Sequence, residues 1–306
     1  MITRTTRERT LFRSSKNDSF VAKSRSSKKN QNLFLSSKTA SRCSIFISTT
    51  TKSRIVRTKA HAKENDRKEH AREEVLDGEV SLVLLAGGVG RRMGAQVPKQ
   101  YLPLLKIPIA IYSLRKFATM REIGEIVVVC NEEYDDIFLN EGVQKPVVIA
   151  RPGKERQDSV YNGISKARKE ARLLAIHDSA RPLTDLEDAK RCFRDGKEFG
   201  AAVLAVKCKA TIKQANKDGS ICKTLDRSLL WEMQTPQVIE PELLKEGFKF
   251  VKENNLEVTD DVSVVEHLGK RVQITEGSYY NIKVTTPEDM FIAERLLNEE
   301  PKLRCV

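Results

Sequence analysis

Residues 80–105 read VSLVLLAGGVGRRMGAQVPKQYLPLL, and this stretch decides how the rest of the chain is interpreted. An apolar run of strand length ends in glycines, and two arginines, a proline and a lysine follow it. Because glycine has no Cβ, backbone N–H groups in such a turn can approach a ligand closely. Cations beside the turn favour a phosphate as that ligand, while the alternative is an ordinary tight turn with exposed arginines.

The segments after this stretch alternate between short apolar runs and amphipathic stretches. The strand-like runs are VSLVLLA (80–86), EIVVVC (125–130), PVVIA (146–150), LLAIH (173–177) and AAVLAV (201–206). Buried strands that alternate with helices predict an α/β fold, a Rossmann-like, doubly wound and mostly parallel sheet. In such a sheet ligands bind at the carboxyl ends of the strands, where the glycine turn lies.

After residue 206 the alternation of strand-like runs and amphipathic stretches is interrupted. Short β-like pieces flank the turn signal Asn216-Lys217-Asp218-Gly219, which predicts an inserted β-hairpin arm over residues 207–233. We expect this arm to contact another surface. The remaining predicted elements are the helices PELLKEGFKFVKENN and TDDVSVVEHLG (capped by Thr259 or Asp260), the strand RVQITEG, a strand-like NIKVT and a closing helix PEDMFIAERLLNEE.

The positive charge is concentrated in the first part of the chain. The formal net charge is +12, and residues 1–63 hold 16 Lys and Arg against Glu8 and Asp18, or +14, which leaves 38 basic and 40 acidic residues, or −2. The total charge is therefore no argument for nucleic-acid binding by the folded part. A basic, hydroxyl-rich, acid-poor leader is typical of a chloroplast transit peptide. The alternatives are a disordered RNA-binding arm and a misannotated start.

We therefore expect a disordered transit peptide and linker over residues 1–75 and a catalytic domain over residues 76–306. The charged stretch at 60–78 is predicted to be a solvated linker or a lead-in helix. No window approaches 18 apolar residues, so no membrane span is predicted. The six cysteines form no CxxC pair, which disfavours a structural zinc site.

Two standard phosphate-binding motifs do not fit the glycine turn. A Walker A loop ends in Gly-Lys-Ser/Thr, which does not occur after the turn. The dinucleotide fingerprint needs a glycine at its sixth position, where Met93 stands when Gly88 is counted first. A dinucleotide-dependent oxidoreductase is therefore disfavoured.

Five blocks of the sequence together resemble a known family. They are GGVGRRM with PKQY, GKERQDSV (153–160), HDSARP (177–182), TLDRSLLWEMQTPQ (224–237) and NIKVTTPED (281–289). Their order and spacing, over about residues 79–298, resemble nucleotidyltransferases that make nucleoside-diphosphate sugars and alcohols. The narrower resemblance is to the 2-C-methyl-D-erythritol 4-phosphate cytidylyltransferase family of non-mevalonate isoprenoid synthesis, in its plant, plastid-targeted form.

This resemblance implies an enzyme that transfers CMP from CTP to 2-C-methyl-D-erythritol 4-phosphate and releases pyrophosphate. It implies Mg²⁺ held mainly through the phosphates of CTP, a homodimer formed through the arm, and the chloroplast stroma as the location. No nucleic acid or membrane partner is expected. The rival functions are synthesis of CDP-ribitol or of a nucleoside-diphosphate sugar and, from another class, binding of nucleic acid.

The resemblance also assigns roles to individual residues. The catalytic cations would be Arg92, Lys99, Arg227 and Lys283. The CTP-binding positions would be Ala86, Gly87, Gly88, Gly90, Gly153, Lys154, Arg156 and Ser159. The substrate-binding positions would be Asp178, Arg181, Thr211 and Thr235. Thr211 and Arg227 on the arm would complete the pocket of the twin subunit, and no residue is expected to be a direct metal ligand.

Simpler interpretations remain open for several of these positions. Arg91 rather than Arg92 could face the phosphate. Asp158 or Ser159 could merely cap a helix. Asp178 and Arg181 could form a purely structural ion pair. His177 is expected to be a half-buried, hydrogen-bonded histidine rather than a base.

Overall fold

The computed structural model describes residues 73–88 and 97–299. The predictions made for the leader before residue 73, for Gly90, Arg91 and Arg92, and for the last seven residues therefore lie outside the described part. The strands are β1 Val80–Leu85, β2 Pro103–Leu104, β3 Ile107–Pro108, β4 Ile123–Val129, β5 Val147–Ala150, β6 Leu173–Asp178, β7 Ala201–Lys207, β8 Lys213–Ala215, β9 Ile221–Thr224, β10 Trp231–Ile239 and β11 Gln273–Glu276. The α-helices are α1 Ile109–Ala118, α2 Asp135–Leu139, α3 Arg156–Ile164, α4 Leu186–Phe199, α5 Pro241–Asn254, α6 Ser263–His267 and α7 Pro287–Glu299.

Seven strands form the central sheet, in the order β11-β7-β10-β6-β1-β4-β5. Strand β10 runs antiparallel to β6 and β7, and the other neighbouring pairs are parallel. The chain passes from β1 to β4 and β5 on one side and then returns to β6 on the other side of β1. The predicted doubly wound, mostly parallel sheet is confirmed, and its topological switch point lies between β1 and β6.

The alternating side chains of β1 build a core on each face of the sheet. Leu82 and Leu84 pack in one buried cluster with Phe117 of α1. Val83 packs in another cluster with Val160 of α3. Burying a leucine or phenylalanine side chain of this kind contributes about 1.5–3 kcal/mol. Because both faces are covered, β1 is apolar except for Ser81, which is why the sequence pattern was informative.

The predicted hairpin arm is also confirmed. Strands β8 and β9 pair antiparallel as a two-stranded sheet separate from the central one, and all their residues are exposed. The connecting turn is closed by a hydrogen bond from Gly219 N to Asn216 O at 3.0 Å. Gly219 has a φ of 85°, a left-handed conformation that suits glycine.

Three local predictions were wrong. The segment 281–285 (NIKVT) is not a strand, because Val284 N donates to the loop carbonyl of Ala180 at 2.8 Å instead of pairing with a strand. Residues 73–78, predicted to belong to a solvated linker or a lead-in helix, form no helix, and they are not fully solvated because Val75 is only 4% exposed. Helix α6 begins only at Ser263, although the Asp260 carboxylate accepts a hydrogen bond from Ser263 N as a capping residue does.

Among the described residues no helix is long and apolar enough to cross a bilayer.

Candidate active site

A cleft of about 310 Å³ opens at the carboxyl edge of the sheet, beside the switch point. The residues that line it come from the turn after β1, the turn before β2, the start of α3, the end of β6 and the 281–285 loop. They are Leu85, Gly87, Gly88, Lys99, Gln100, Gly153, Lys154, Glu155, Arg156, Ser159, Asp178, Ser179, Ala180 and Lys283. Residues quoted from four separate sequence blocks therefore meet in one place.

Gln100 holds the glycine turn in position. Its Nε2 atom donates to the carbonyls of Ala86 at 2.6 Å and Gly88 at 2.8 Å. The Tyr101 hydroxyl also donates to Ala86 O at 2.8 Å, and Ala86 N donates to Val129 O. The backbone polar groups of Ala86 are thus engaged within the protein, and this residue does not line the cleft. No role was predicted for Gln100 from the sequence.

Lys99 lies in the 3₁₀ turn Lys99–Tyr101, directly after Pro98. Its ammonium group lines the cleft and donates to Val284 O at 2.6 Å. This hydrogen bond sets the direction from which the Lys99 ammonium group approaches the cleft, and that direction depends on the 281–285 loop.

The loop before α3 lies tightly against the first turn of that helix. Glu155 is the N-cap of α3, and Asp158, the N3 residue, accepts from Glu155 N in a reciprocal capping box. The Ser159 hydroxyl accepts from Gly153 N at 3.0 Å and donates to Glu155 O at 3.1 Å while it lines the cleft. A Cβ at Gly153 would lie 2.1 Å from Asp158 Cβ, so only glycine fits there.

Asp178, the last residue of β6, is surrounded by three cations. Lys283 Nζ lies 2.7 Å from Asp178 Oδ2, and the guanidinium groups of Arg156 and Arg181 each approach to 3.7 Å. Burial alone would raise the pKa of Asp178, but these cations, with Lys283 the strongest, outweigh it and lower the pKa. Asp178 is therefore an anion at neutral pH, and it balances cations rather than accepting a substrate proton.

Arg156 connects the cleft to a second carboxylate that the sequence did not single out. It forms a bidentate pair with Asp261, with N···O distances of 2.5 Å and 2.7 Å. Burial would lower the pKa of Arg156, but Asp261 and Asp178 raise it overall. The adjacent acids Asp260 and Asp261 before α6 were the feature of the sequence that could have indicated this pair. Their position does not reveal the partner, because Arg156 lies 105 positions away from Asp261.

Thr235 lies beneath the cleft and does not line it. Its hydroxyl accepts from Asp178 N at 3.1 Å and lies 2.9 Å from Nδ1 of His177. Because the hydroxyl oxygen accepts the amide, its hydrogen is available for Nδ1. Burial lowers the pKa of His177 to about 3, so the ring is neutral at physiological pH. His177 is fully buried rather than half-buried, and it is hydrogen-bonded.

The remaining predicted residues lie outside the cleft. Arg181 is buried and donates from Nη1 to Asn281 O at 2.6 Å. Thr211 and Arg227 are exposed on the arm, and Arg227 Nη1 donates to Lys209 O at 3.2 Å. Neither arm residue lines the cleft of its own chain.

A doubly wound sheet that carries a glycine turn, two lysines and a charge-balanced aspartate at its carboxyl edge is typical of the α/β nucleotidyltransferases. The described residues contain no group of three or more His, Cys, Asp or Glu side chains arranged to hold a metal ion.

Comparison with known proteins narrows this class. The model of the IspD family, 2-C-methyl-D-erythritol 4-phosphate cytidylyltransferase, matches residues 80–299. The chain is 57% identical over 230 residues to the chloroplastic enzyme of that name from Oryza sativa subsp. japonica, covering 74% of this chain and 77% of the relative. It is 39% identical over 226 residues to the Clostridioides difficile enzyme of that name, covering 72% and 95%.

Solved structures agree with this result. The crystal structure of Francisella tularensis 2-C-methyl-D-erythritol 4-phosphate cytidylyltransferase matches with a TM-score of 0.62 and 30% identity, covering 71% of this chain and 98% of that one. The 4-diphosphocytidyl-2C-methyl-D-erythritol synthase of Anaerococcus prevotii matches with a TM-score of 0.63 at 24% identity, which supports the fold alone. The chain belongs to the 2-C-methyl-D-erythritol 4-phosphate cytidylyltransferase (IspD) family. None of these relatives is named for CDP-ribitol or for a nucleoside-diphosphate sugar.

Proposed function

We propose that the cleft binds CTP and 2-C-methyl-D-erythritol 4-phosphate and catalyses transfer of CMP between them. A phosphate oxygen of the methylerythritol substrate attacks the α-phosphorus of CTP, the bond from that phosphorus to the β-phosphate oxygen breaks, and pyrophosphate leaves. The observation that carries this proposal is the convergence of Lys99, Lys283 and the glycine turn in one cleft. Fixed cations stabilise the charge that develops on the transferring phosphorus and the leaving group.

Each group in the cleft has a separate role in this proposal. The backbone of Gly87 and Gly88 receives the triphosphate, and Lys99 stabilises charge at the α-phosphate. Gly153, Lys154 and Ser159 form the wall against which the cytosine ring lies, with Arg156 at its border. The attacking phosphate is already an anion near neutral pH, so no strong general base is required. Neutral, buried His177 agrees with this requirement.

The acceptor substrate lies on the Asp178 side of the cleft. Lys283 binds its phosphate, and Asp178 orients its hydroxyl groups. Thr235 and Arg181 act indirectly, because Thr235 holds Asp178 N and Arg181 pairs with the Asp178 carboxylate. Arg227 and Thr211 contribute to the cleft of a second copy of the chain, since they are exposed on the arm and do not line their own cleft.

The described residues fit a magnesium ion that is held mainly by the phosphates of CTP and by water. Asp178 is a carboxylate in the cleft, and its oxygens already neighbour Lys283, Arg156 and Arg181. Mg²⁺ commonly uses few carboxylates and several phosphate and water oxygens. When bound, it would neutralise charge on the triphosphate and keep its oxygens in a reactive arrangement.

Residues 1–75 hold a plastid transit peptide in this proposal, which ends before Val75 because that side chain packs in the core, and the mature enzyme works in the chloroplast stroma. The leader's composition supports this, and so does the chloroplastic name of the Oryza sativa relative. Import of a fluorescent protein fused to residues 1–75 into isolated chloroplasts tests it. Exclusion of the fusion protein from the stroma would contradict it.

The activity is tested by pyrophosphate release from the purified protein with Mg²⁺, methylerythritol phosphate and each of CTP, ATP, GTP and UTP. We expect activity with CTP, and at least a hundredfold loss of kcat in Lys99→Ala at an unchanged melting temperature. Ribitol 5-phosphate replaces the acceptor in a parallel reaction. Equal activity with ribitol 5-phosphate, or normal activity of Lys99→Ala, would contradict the proposal.

A further inference from the structure

Asn281 begins the loop that carries Lys283 into the cleft. Its side chain is 1% exposed, and it is not among the residues that line the cleft. The 281–285 loop belongs to no strand, so a sheet ladder does not fix its position. Its location has to be set by individual hydrogen bonds, and Asn281 makes several of them.

The side chain of Asn281 uses all its hydrogen-bonding groups. Its Nδ2 donates to Gln234 Oε1 at 3.1 Å and to Thr235 O at 2.9 Å. Its Oδ1 accepts from the Thr184 hydroxyl at 2.9 Å. The Asn281 carbonyl also accepts from Arg181 Nη1 at 2.6 Å. Asn281 is therefore bonded both to β10 and to the loop that follows β6.

These anchors are the same elements that hold Asp178. The carbonyl of Thr235 accepts a hydrogen bond from Asn281 Nδ2, and the hydroxyl of the same residue accepts one from Asp178 N. Arg181, which donates to Asn281, also lies 3.7 Å from the Asp178 carboxylate. Asn281 thus ties the loop of Lys283 to the frame around the carboxylate that Lys283 pairs with.

Both cleft lysines depend on the loop that Asn281 anchors. Lys283 lies two residues after Asn281, and its ammonium pairs with Asp178 at 2.7 Å. Lys99 donates to the carbonyl of Val284, which is the next residue of the loop. A displacement of about 1 Å in such a loop can cost roughly a hundredfold in rate, because the charges no longer face the reacting phosphorus.

We infer that Asn281 is a positioning residue for the transfer reaction, which locks the 281–285 loop and thereby sets the places of Lys283 and Lys99. This inference rests on the proposed roles of the two lysines. Asn281 does not touch either substrate, and it acts through the loop backbone. An amide is required because one side chain has to supply two donors and one acceptor.

The test compares Asn281→Ala, Lys283→Ala and the double variant in steady-state pyrophosphate release, with folding checked by melting temperature and near-ultraviolet circular dichroism. We expect Asn281→Ala to lower kcat roughly a hundredfold while the KM for CTP changes only a few-fold. In the Lys283→Ala background the same change should cost at least tenfold less, because residues that act through one another are not additive. Exposed Asn254 provides the matched control, and Asn254→Ala should retain full activity.

A second pair of variants keeps the test decisive if Asn281→Ala does not fold. Thr184→Val removes the hydroxyl that Asn281 accepts from and keeps the volume, and Thr184→Ser retains the hydroxyl. We expect about a tenfold loss of kcat in the first and less than a twofold loss in the second. Equal activity of the two Thr184 variants, or effects of Asn281 and Lys283 that multiply independently, would overturn the inference. Normal activity of Lys283→Ala would instead contradict the proposed role of that lysine.

Discussion

At the residue scale, the neighbouring residues Gly87 and Gly88 differ in why a side chain would be unfavourable there. A Cβ at Gly87 would lie 2.5 Å from Pro152 Cβ, so the protein itself leaves no room for a side chain. A Cβ at Gly88 would meet no atom of the described residues within 4 Å. Gly88 lines the cleft, and therefore the space beside it suits a ligand rather than a neighbouring side chain.

This difference predicts opposite phenotypes for the two alanine variants. Gly87→Ala should lower the free energy of unfolding by about 1–3 kcal/mol, because it overpacks the turn against Pro152. Gly88→Ala should leave the melting temperature within about 2 °C of the unmodified protein. It should raise the Kd for CTP about tenfold by filling space needed by the triphosphate. Normal CTP binding by Gly88→Ala in calorimetry would contradict this interpretation.

His177 gives the protein a specific dependence of stability on pH. Burial lowers its pKa from an ordinary 6.5 to about 3 in the folded state. Between these two values the unfolded chain binds a proton that the folded chain does not, so stability rises with pH. On acidification from pH 6 to pH 4 this single site should remove about 1.4 kcal/mol of unfolding free energy per pH unit.

Urea unfolding at several pH values measures this dependence. His177→Asn, which keeps an acceptor near the Thr235 hydroxyl, should have a shallower slope than the unmodified protein by about that amount. Exposed His267 serves as the comparison, and His267→Asn measures how much the slope changes when a histidine outside the core is replaced. Parallel slopes for His177→Asn and the unmodified protein would show that His177 is protonated equally in both states.

The sequence indicated which charged side chains belong to the site. It did not indicate the uncharged side chains that position them. Lys99, Asp178 and Lys283 stand in motifs that follow apolar runs or turns, and the structure brings all three to the cleft. Gln100 and Asn281 lie in the same motifs, yet nothing local distinguishes a buried amide from an exposed one. Their partners are 12 to 100 positions away in the chain, so only the folded structure reveals what they do.

At the element scale, the segment that precedes β1 is an integral part of the fold. Val75 is 4% exposed and belongs to the main core. Lys197 of α4 binds the segment through Glu74 O at 2.9 Å, the Glu79 carboxylate at 3.0 Å and the Glu73 carboxylate at 3.1 Å. Its charged composition predicted a solvated linker, because the single apolar anchor gives no periodic pattern.

Substitutions at two adjacent positions test whether the buried side chain of this segment stabilises the fold, or whether any change in the segment lowers stability. Val75→Asp places a charge in the core and should cost more than about 3 kcal/mol of unfolding free energy. Leu76→Asp changes a side chain that is 62% exposed and should cost less than about 0.5 kcal/mol. Chemical denaturation of both variants measures the difference. Similar stability of the two would mean that the segment before β1 does not contribute to the fold.

The strands and helices of the central sheet were more predictable than the segments that carry the site. Buried parallel strands such as β1 are almost continuous apolar runs, and α4 has a clear cap at Asp185 and ends at Gly200 with a φ of 83°. The 281–285 loop is also rich in β-branched residues, but its backbone N–H groups at Asn281, Ile282 and Val284 donate to loop carbonyls instead of pairing with a strand. A β-like composition indicates that side chains are buried, and side chains of an irregular loop can be buried as well. Composition alone therefore does not distinguish such a loop from a strand.

At the scale of the whole molecule, the arm carries apolar side chains that its own chain does not cover. Ile221 is 66% exposed, Leu229 is 76% exposed and Met233 is 42% exposed. Apolar side chains grouped on a projecting hairpin are typical of a protein–protein contact. In the proposed homodimer they pack against the second copy and carry Arg227 and Thr211 to its cleft.

This arrangement predicts complementation between two inactive variants. Lys99→Ala damages the cleft and Arg227→Ala damages the arm, so each homodimer should have less than about 1% of normal activity. When the two are unfolded and refolded together at equal concentration, half of the dimers are mixed. In each mixed dimer one cleft retains Lys99 and receives an intact arm from the partner. About one quarter of normal activity should therefore return, because one site in four is complete.

The controls distinguish this result from trivial recovery. Each variant refolded alone should stay inactive, and mixing without unfolding should restore activity only as fast as subunits exchange. If Arg227 served the cleft of its own chain, every site in a mixed dimer would lack either Lys99 or Arg227, and no activity would return. A mixture that stays inactive while size-exclusion chromatography shows dimers would therefore reject exchange of the arm between subunits, and the exposed apolar side chains of the arm would need a different partner.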